Sequence, residues 1–171
     1  FVVMIPRRGT YVADISLKDV VQVFEIRSAL EELAAGLAAE RITPDELEEL
    51  ERILVEINEY IDRDEFDKIV DTDIRFHGVL YRASRNNRLV DILHNLREQM
   101  LRFRSISMHY PGRLAATWEE HRQLVESIAN HNSVQARKIA KKHMENSEKT
   151  LIMGIKRDKD SARLVQELFP H

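Results

Sequence analysis

Asp73 and His77 stand four residues apart. If residues 68–84 are helical, Val70, Asp73, His77, Leu80 and Ser84 share one face, because positions three and four apart line up on a helix. Val70 and Leu80 mark that face as inward. A carboxylate and an imidazole therefore lie in line with a core stripe, where a charge is costly unless it is paired or bound to a metal. The bland alternative is a half-exposed local Asp–His pair, which is common on helix surfaces. Two further histidines argue against it. His121 shares its face with Trp118, Leu124, Val125 and Ile128. His143 shares its face with Ala136, Ile139, Ala140 and Ser147, small residues that leave room between helices. A single inward histidine is usually a satisfied core residue. Three of them with an inward Asp, on three helices, point to a metal site, which facing helices of a bundle can build. Neutral imidazoles and one carboxylate suit Zn, Ni, Mn, Co or Fe. Four such ligands could close a tetrahedron, or leave two octahedral positions open for water or a ligand. His94, His109, His131 and His171 fall near turns, polar faces or the terminus and are read as ordinary.

The elements that must position these residues are helical. Residues 1–6 and 11–13 are β-prone, with a basic turn at Arg7-Arg8-Gly9-Thr10 between them, so a hairpin with Gly9 in its turn is expected. Ser16 is a candidate helix cap. The pattern from Leu17 to Arg41 is helical, with Val20, Val23, Phe24, Ile26, Leu30, Leu33, Ala34 and Leu37 as its apolar positions. Arg27 lies within that stripe, either snorkelling to solvent or aimed into a pocket. Thr43-Pro44-Asp45-Glu46 is a capping box with Pro at the first helical position, and its helix runs to about Asp62. The Asp73 helix follows over 65–84. A helix over 88–109 turns Leu89, Ile92, Leu93, Leu96, Met100 and Phe103 inward, with Arg97, Arg102 and Arg104 read as solvated. Pro111-Gly112 makes a turn, a helix spans 114–130, Asn132 caps another reaching Lys156, and a short last helix is expected over 161–168. The fold class is all-α: a six- or seven-helix antiparallel bundle with a metal site in its core.

Composition sets limits. The 171 residues are enough for one well-packed domain. With no cysteine, a disulfide framework and a thiolate site are both excluded, which is compatible with a cytoplasmic protein. No apolar run approaches membrane-spanning length, and no signal peptide precedes the first domain. A net charge of −3 does not suit a nucleic-acid binder. The first residue is Phe1, which suggests a processed chain or a fragment.

Taken together, these residues resemble a known family. Arg8-Gly9-Thr10-Tyr11-Val12 looks like the end of a winged-helix wing. Val23-Phe24-Glu25-Ile26-Arg27 with Leu30-Glu31, Asp73-x3-His77, Glu120-His121 with Leu124 and Ile128, and Asn132 through Ala136-Arg137 to His143 follow in order. The chain resembles the effector-binding C-terminal (FCD) domain of the FadR branch of GntR-type bacterial transcription regulators, in its metal-binding subgroup. Asn132 stands where that family commonly has Asp. The resemblance implies residues 1–15 as a wing remnant and linker, and 16–171 as a helical effector-binding and dimerisation domain. It implies one divalent transition metal per chain, Zn, Ni or Mn foremost, held by Asp73, His77, His121 and His143. It implies a small carboxylate effector at or beside the metal, with Arg27 facing the same pocket. It also implies a homodimer that sets the spacing of two winged helices on operator DNA. The helix-turn-helix itself is absent, so DNA enters only through the intact protein. Two other functions compete: a helical interaction module with a purely structural metal, and a metal-dependent hydrolase. Against the hydrolase, no second acid or base stands out beside the ligands, and Glu120, next to His121, is expected to point elsewhere on its helix.

Overall fold

The computed structural model describes residues 2–5, 9–12 and 17–168, with the side chains of 17–157 apart from 102, 104 and 105. Within them lie two strands and six helices: β1 (Val2–Ile5), β2 (Gly9–Val12), α1 (Leu17–Arg41), α2 (Pro44–Asp62), α3 (Phe66–Ala83), α4 (Asn87–Met108), α5 (Arg113–Ala129) and α6 (Ser133–Leu168). The chain is an all-α bundle with a small hairpin before it. The strands are antiparallel, with Val2 opposite Val12 and Ile5 opposite Gly9. Gly9 is thus a strand residue, not the turn; residues 6–8 and the expected cap Ser16 lie outside the described residues.

Helix starts follow from local chemistry. Thr43 and Glu46 form a reciprocal capping box ahead of Pro44. Asn132 Oδ1 accepts the Gln135 amide at 3.0 Å, the cap its residue type favours. Gly112, at φ 76°, turns the chain into α5. Three helices end on non-glycine residues in the left-handed region, Asp64, Arg85 and His131. The sequence expectation of two helices after Asn132 is corrected to one of 36 residues. No Gly or Pro interrupts 155–163.

α1 packs along α6, while α2 lies on α3 and α5. The larger apolar core includes Leu50, Ile53, Phe76, Leu80, Leu93 and Ile128, all essentially buried. A smaller cluster of Val20, Phe24, Met100, Met144 and Leu151 joins α1, α4 and α6. Ile92, expected inward, is 48% exposed, and Ile26, an apolar position of the α1 pattern, is 53% exposed; in α1 the inward positions beside Ile26 go to Arg27 and Glu31. Among the described residues no helix is long and apolar enough to cross a membrane.

Candidate metal centre and adjoining pocket

Four inward positions on three helices converge. α3 buries Asp73 and His77 on the face that also buries Leu80 and Ser84, and α5 buries His121 with Leu124, Val125 and Ile128. α6 brings His143, whose side chain is 12% exposed. One nitrogen from each of His77, His121 and His143 lies within 4.8 Å of the others. Asp73 faces two of them: its Oδ2 is 3.8 Å from His77 Nε2 and its Oδ1 is 3.8 Å from His121 Nε2. With ligand bonds of about 2.1 Å, two donors on one metal are at most about 4.2 Å apart. Small inward rotations would close this group on an ion.

The hydrogen-bond inventory fits such an ion. Both ring nitrogens of His121 are buried without a hydrogen-bond partner, an arrangement that native interiors avoid unless something else satisfies them. His121 is held instead by stacking on Phe76, with ring centroids 4.1 Å apart. Burial, reinforced by Arg97, depresses the His77 imidazole to about 3. Burial, with His143 and His77 nearby, pushes His121 well below its ordinary value. Both rings are therefore neutral at ordinary pH, the state in which imidazole ligates.

Two carboxylates, Glu31 buried and Glu120 partly buried, stand behind the histidines. Glu120 Oε2 lies 2.7 Å from His143 Nδ1. An ionised carboxylate only accepts, so Nδ1 carries the proton and Nε2 presents its lone pair. Glu120 is itself held by two bonds of 3.0 Å from Arg113 and one of 2.7 Å from Asn146. Burial alone would raise its carboxyl, but His143 and Arg113 outweigh it and bring it to about 2. Glu31 Oε2 faces His77 Nδ1 at 3.5 Å. Glu31 Oε1 accepts from Arg27 at 2.8 Å and from the Tyr81 hydroxyl at 2.5 Å. Burial again opposes ionisation, yet His77, Arg27 and Arg97 hold Glu31 well below the usual carboxylate range. The expectation that Glu120 points away from the site is thus corrected: its carboxylate crosses from α5 to α6. The statement that no second acid stands beside the histidines is corrected with it.

Arg97, read as solvated, is also corrected. Its side chain is 10% exposed and donates to Asp73 Oδ2 at 3.4 Å. The signal was present, since Arg97 lies between Leu93 and Met100 on the inward face of α4. Arg113 and Glu120 are seven residues apart, two turns on one face, which is the spacing that pairs them. Arg27 is 8% exposed, and its Nε has no hydrogen-bond partner.

A cavity of about 90 Å³ opens beside the imidazoles. One part of its wall is Arg27, Asp73, His77, Arg97, Arg113 and His143. Another part is apolar, including Phe24, Met100, Phe103, Met108, Met144 and Leu151. His121 does not line the cavity. The arrangement can hold a divalent cation and expose it to a small ligand on the side of His77 and His143.

The FCD domain family model matches residues 22–146. The chain is 29% identical over 134 residues to the uncharacterized HTH-type transcriptional regulator YdhC of Bacillus subtilis, covering 77% of this chain and 59% of that protein. It is 25% identical over 140 residues to the HTH-type transcriptional repressor RspR of Escherichia coli, covering 82% and 61%. It thus spans less than two thirds of the length of either relative. Among solved structures, E. coli McbR/YncC superposes with a TM-score of 0.76 at 20% identity, covering 89% of this chain and 77% of that one. The metal-free FCD domain of TM0439 superposes with a TM-score of 0.68 at 22% identity, covering 85% and 99%.

Proposed function

The chain belongs to the FCD domain family, and on that premise we propose that it senses a small carboxylate at a divalent metal. As the FCD domain of a GntR-type transcriptional regulator it is a regulatory domain, not an enzyme. The observation that carries the metal reading is the convergence of His77, His121 and His143 around the Asp73 carboxylate, with both ring nitrogens of His121 left without hydrogen bonds. Zn, Ni and Mn all accept this donor set. Bound there, the metal supplies a positive charge and coordination positions for an acid. Glu120 fixes the tautomer of His143, and the Glu31 carboxylate faces His77 Nδ1 from 3.5 Å.

The rival reading is a purely structural metal. The cavity beside His77 and His143 favours sensing, because a site whose only task is to brace the bundle needs no space next to it. The metal-free FCD domain of TM0439 supports the same view, since it keeps its fold without metal. Stripping this chain with chelator should accordingly leave its helical content intact.

In the whole regulator, residues 1–15 end the wing and link it to the sensing domain. Two copies pair through the helical domain, in the cytoplasm, and ligand occupancy alters how a preceding winged helix meets operator DNA. This chain by itself does not select a DNA sequence. Diffraction from crystals soaked in Ni or Zn, recorded at the metal's absorption edge, tests the site. The account expects one anomalous peak per chain, between the three imidazoles and Asp73. A peak elsewhere, or none, would overturn it.

A further inference from the structure

The pocket is divided chemically, and the division specifies its ligand. Every guanidinium in its wall already faces a carboxylate of the protein. Arg27 donates to Glu31 at 2.8 Å, Arg97 to Asp73 at 3.4 Å, and Arg113 to Glu120 with two bonds of 3.0 Å. Without a metal the charged end is close to balanced, so it offers little to a polyanion. What a bound metal would add there is its own charge and its free coordination positions. That suits one carboxylate. The rest of the wall holds the hydroxyls of Ser107, Thr117 and Ser147, two of them in hydrogen bonds within the protein, and an apolar part. Phe24, Met100, Phe103, Met144 and Leu151 all belong to the apolar cluster that joins α1, α4 and α6. A second carboxylate or a row of hydroxyls set against them would lose its water without gaining a donor. Methionines are flexible and polarizable, and adapt to an apolar guest.

We propose that the pocket selects a monocarboxylic acid with a short apolar body. The carboxylate sits at the histidine and arginine end, and the body extends the methionine-rich cluster. Citrate-like polyacids and sugar acids would set polar groups against that cluster and bind more weakly. This inference rests on the metal-sensing reading above and narrows it.

The test uses the metal-loaded 171-residue chain, with metal content measured on the same sample. Butyrate, pentanoate and hexanoate are titrated calorimetrically alongside citrate and gluconate. Affinity should rise about fourfold per added methylene, the gain expected for burying each CH₂. Citrate and gluconate should bind at least about tenfold more weakly than hexanoate. Leu101 lines the mouth and is 47% exposed, so Leu101→Glu spares the core. This variant should weaken hexanoate and flatten the chain-length series while metal content stays unchanged. Affinity independent of chain length, or gluconate binding as tightly as hexanoate to a metal-loaded chain, overturns this inference and leaves the metal reading standing. A chain that takes up no metal overturns both.

Discussion

Two regions of this bundle solve the same packing problem in opposite ways. Around α2, Leu50, Ile53, Leu54 and Ile57 belong with Phe76, Leu80 and Ile128 to one apolar cluster. Between α1, α3, α4, α5 and α6, the interior instead holds Arg27, Glu31, Asp73, His77, Arg113 and His121, all nearly buried, and a cavity beside them. Burying ion pairs seldom stabilises a fold more than well-packed hydrocarbon would. The first region holds the protein together. The second gives up stability to keep charged groups, unpartnered nitrogens and space in fixed positions, which is what a binding site requires.

Substitution should separate the two regions most sharply. Leu50 is fully buried, and Leu50→Ala should cost about 2–5 kcal/mol, with or without metal. His121→Leu should behave in the reverse manner. In chelator it should be no less stable than the parent, because leaving a buried polar group unsatisfied costs about 1–3 kcal/mol that leucine removes. Its stability should no longer respond to metal. Urea denaturation of both variants with and without chelator measures this. If His121→Leu destabilises the stripped domain as much as Leu50→Ala does, His121 belongs to the structural core and the contrast fails.

A smaller effect is expected one contact further out. Glu120→Gln keeps the shape but replaces the ionised acceptor at His143 Nδ1. Metal affinity should fall about 10- to 100-fold, and the urea midpoint in chelator should fall as well, because buried Arg113 loses its ionised partner. An unaltered metal affinity would mean that His143 is not oriented through Glu120.

Acid should act on the site region and spare the α2 core, which lacks such groups. His77 in the folded state is depressed to about 3, and His121 is lowered as well. Unfolded histidine titrates near 6.5. Between those values the unfolded chain binds more protons than the folded one, so stability falls as pH drops. The metal-free domain should therefore lose stability steadily from about pH 6.5 toward pH 3. Replacing both His77 and His121 with leucine should flatten that slope, as denaturation at a series of pH values would show.

The two regions also differ in how far the sequence disclosed them. Helix starts at Thr43-Pro44-Glu46 and Asn132 were legible, because the cap chemistry is local. The ends at Asp64, Arg85 and His131 were not marked by glycine, although all three adopt the left-handed conformation that glycine signals elsewhere. Asp73, His77, His121 and His143 could be picked out because each shares a helix face with apolar neighbours. Glu31, Arg97, Arg113 and Glu120 were obscured because a charged residue on an amphipathic helix reads as solvated by default. Their burial comes from pairing across helices, Glu120 with His143 and Arg97 with Asp73, which no single-helix pattern reveals. The division of the cavity wall depends on packing among α1, α4 and α6 and left no trace in local spacing.

The central claim is that four side chains on three helices hold one metal. Elemental analysis of the protein purified without chelator, beside a variant lacking both His121 and His143, tests it most directly. The account predicts close to one equivalent of a divalent transition metal in the parent and almost none in the double variant. A full equivalent retained by the double variant would contradict it.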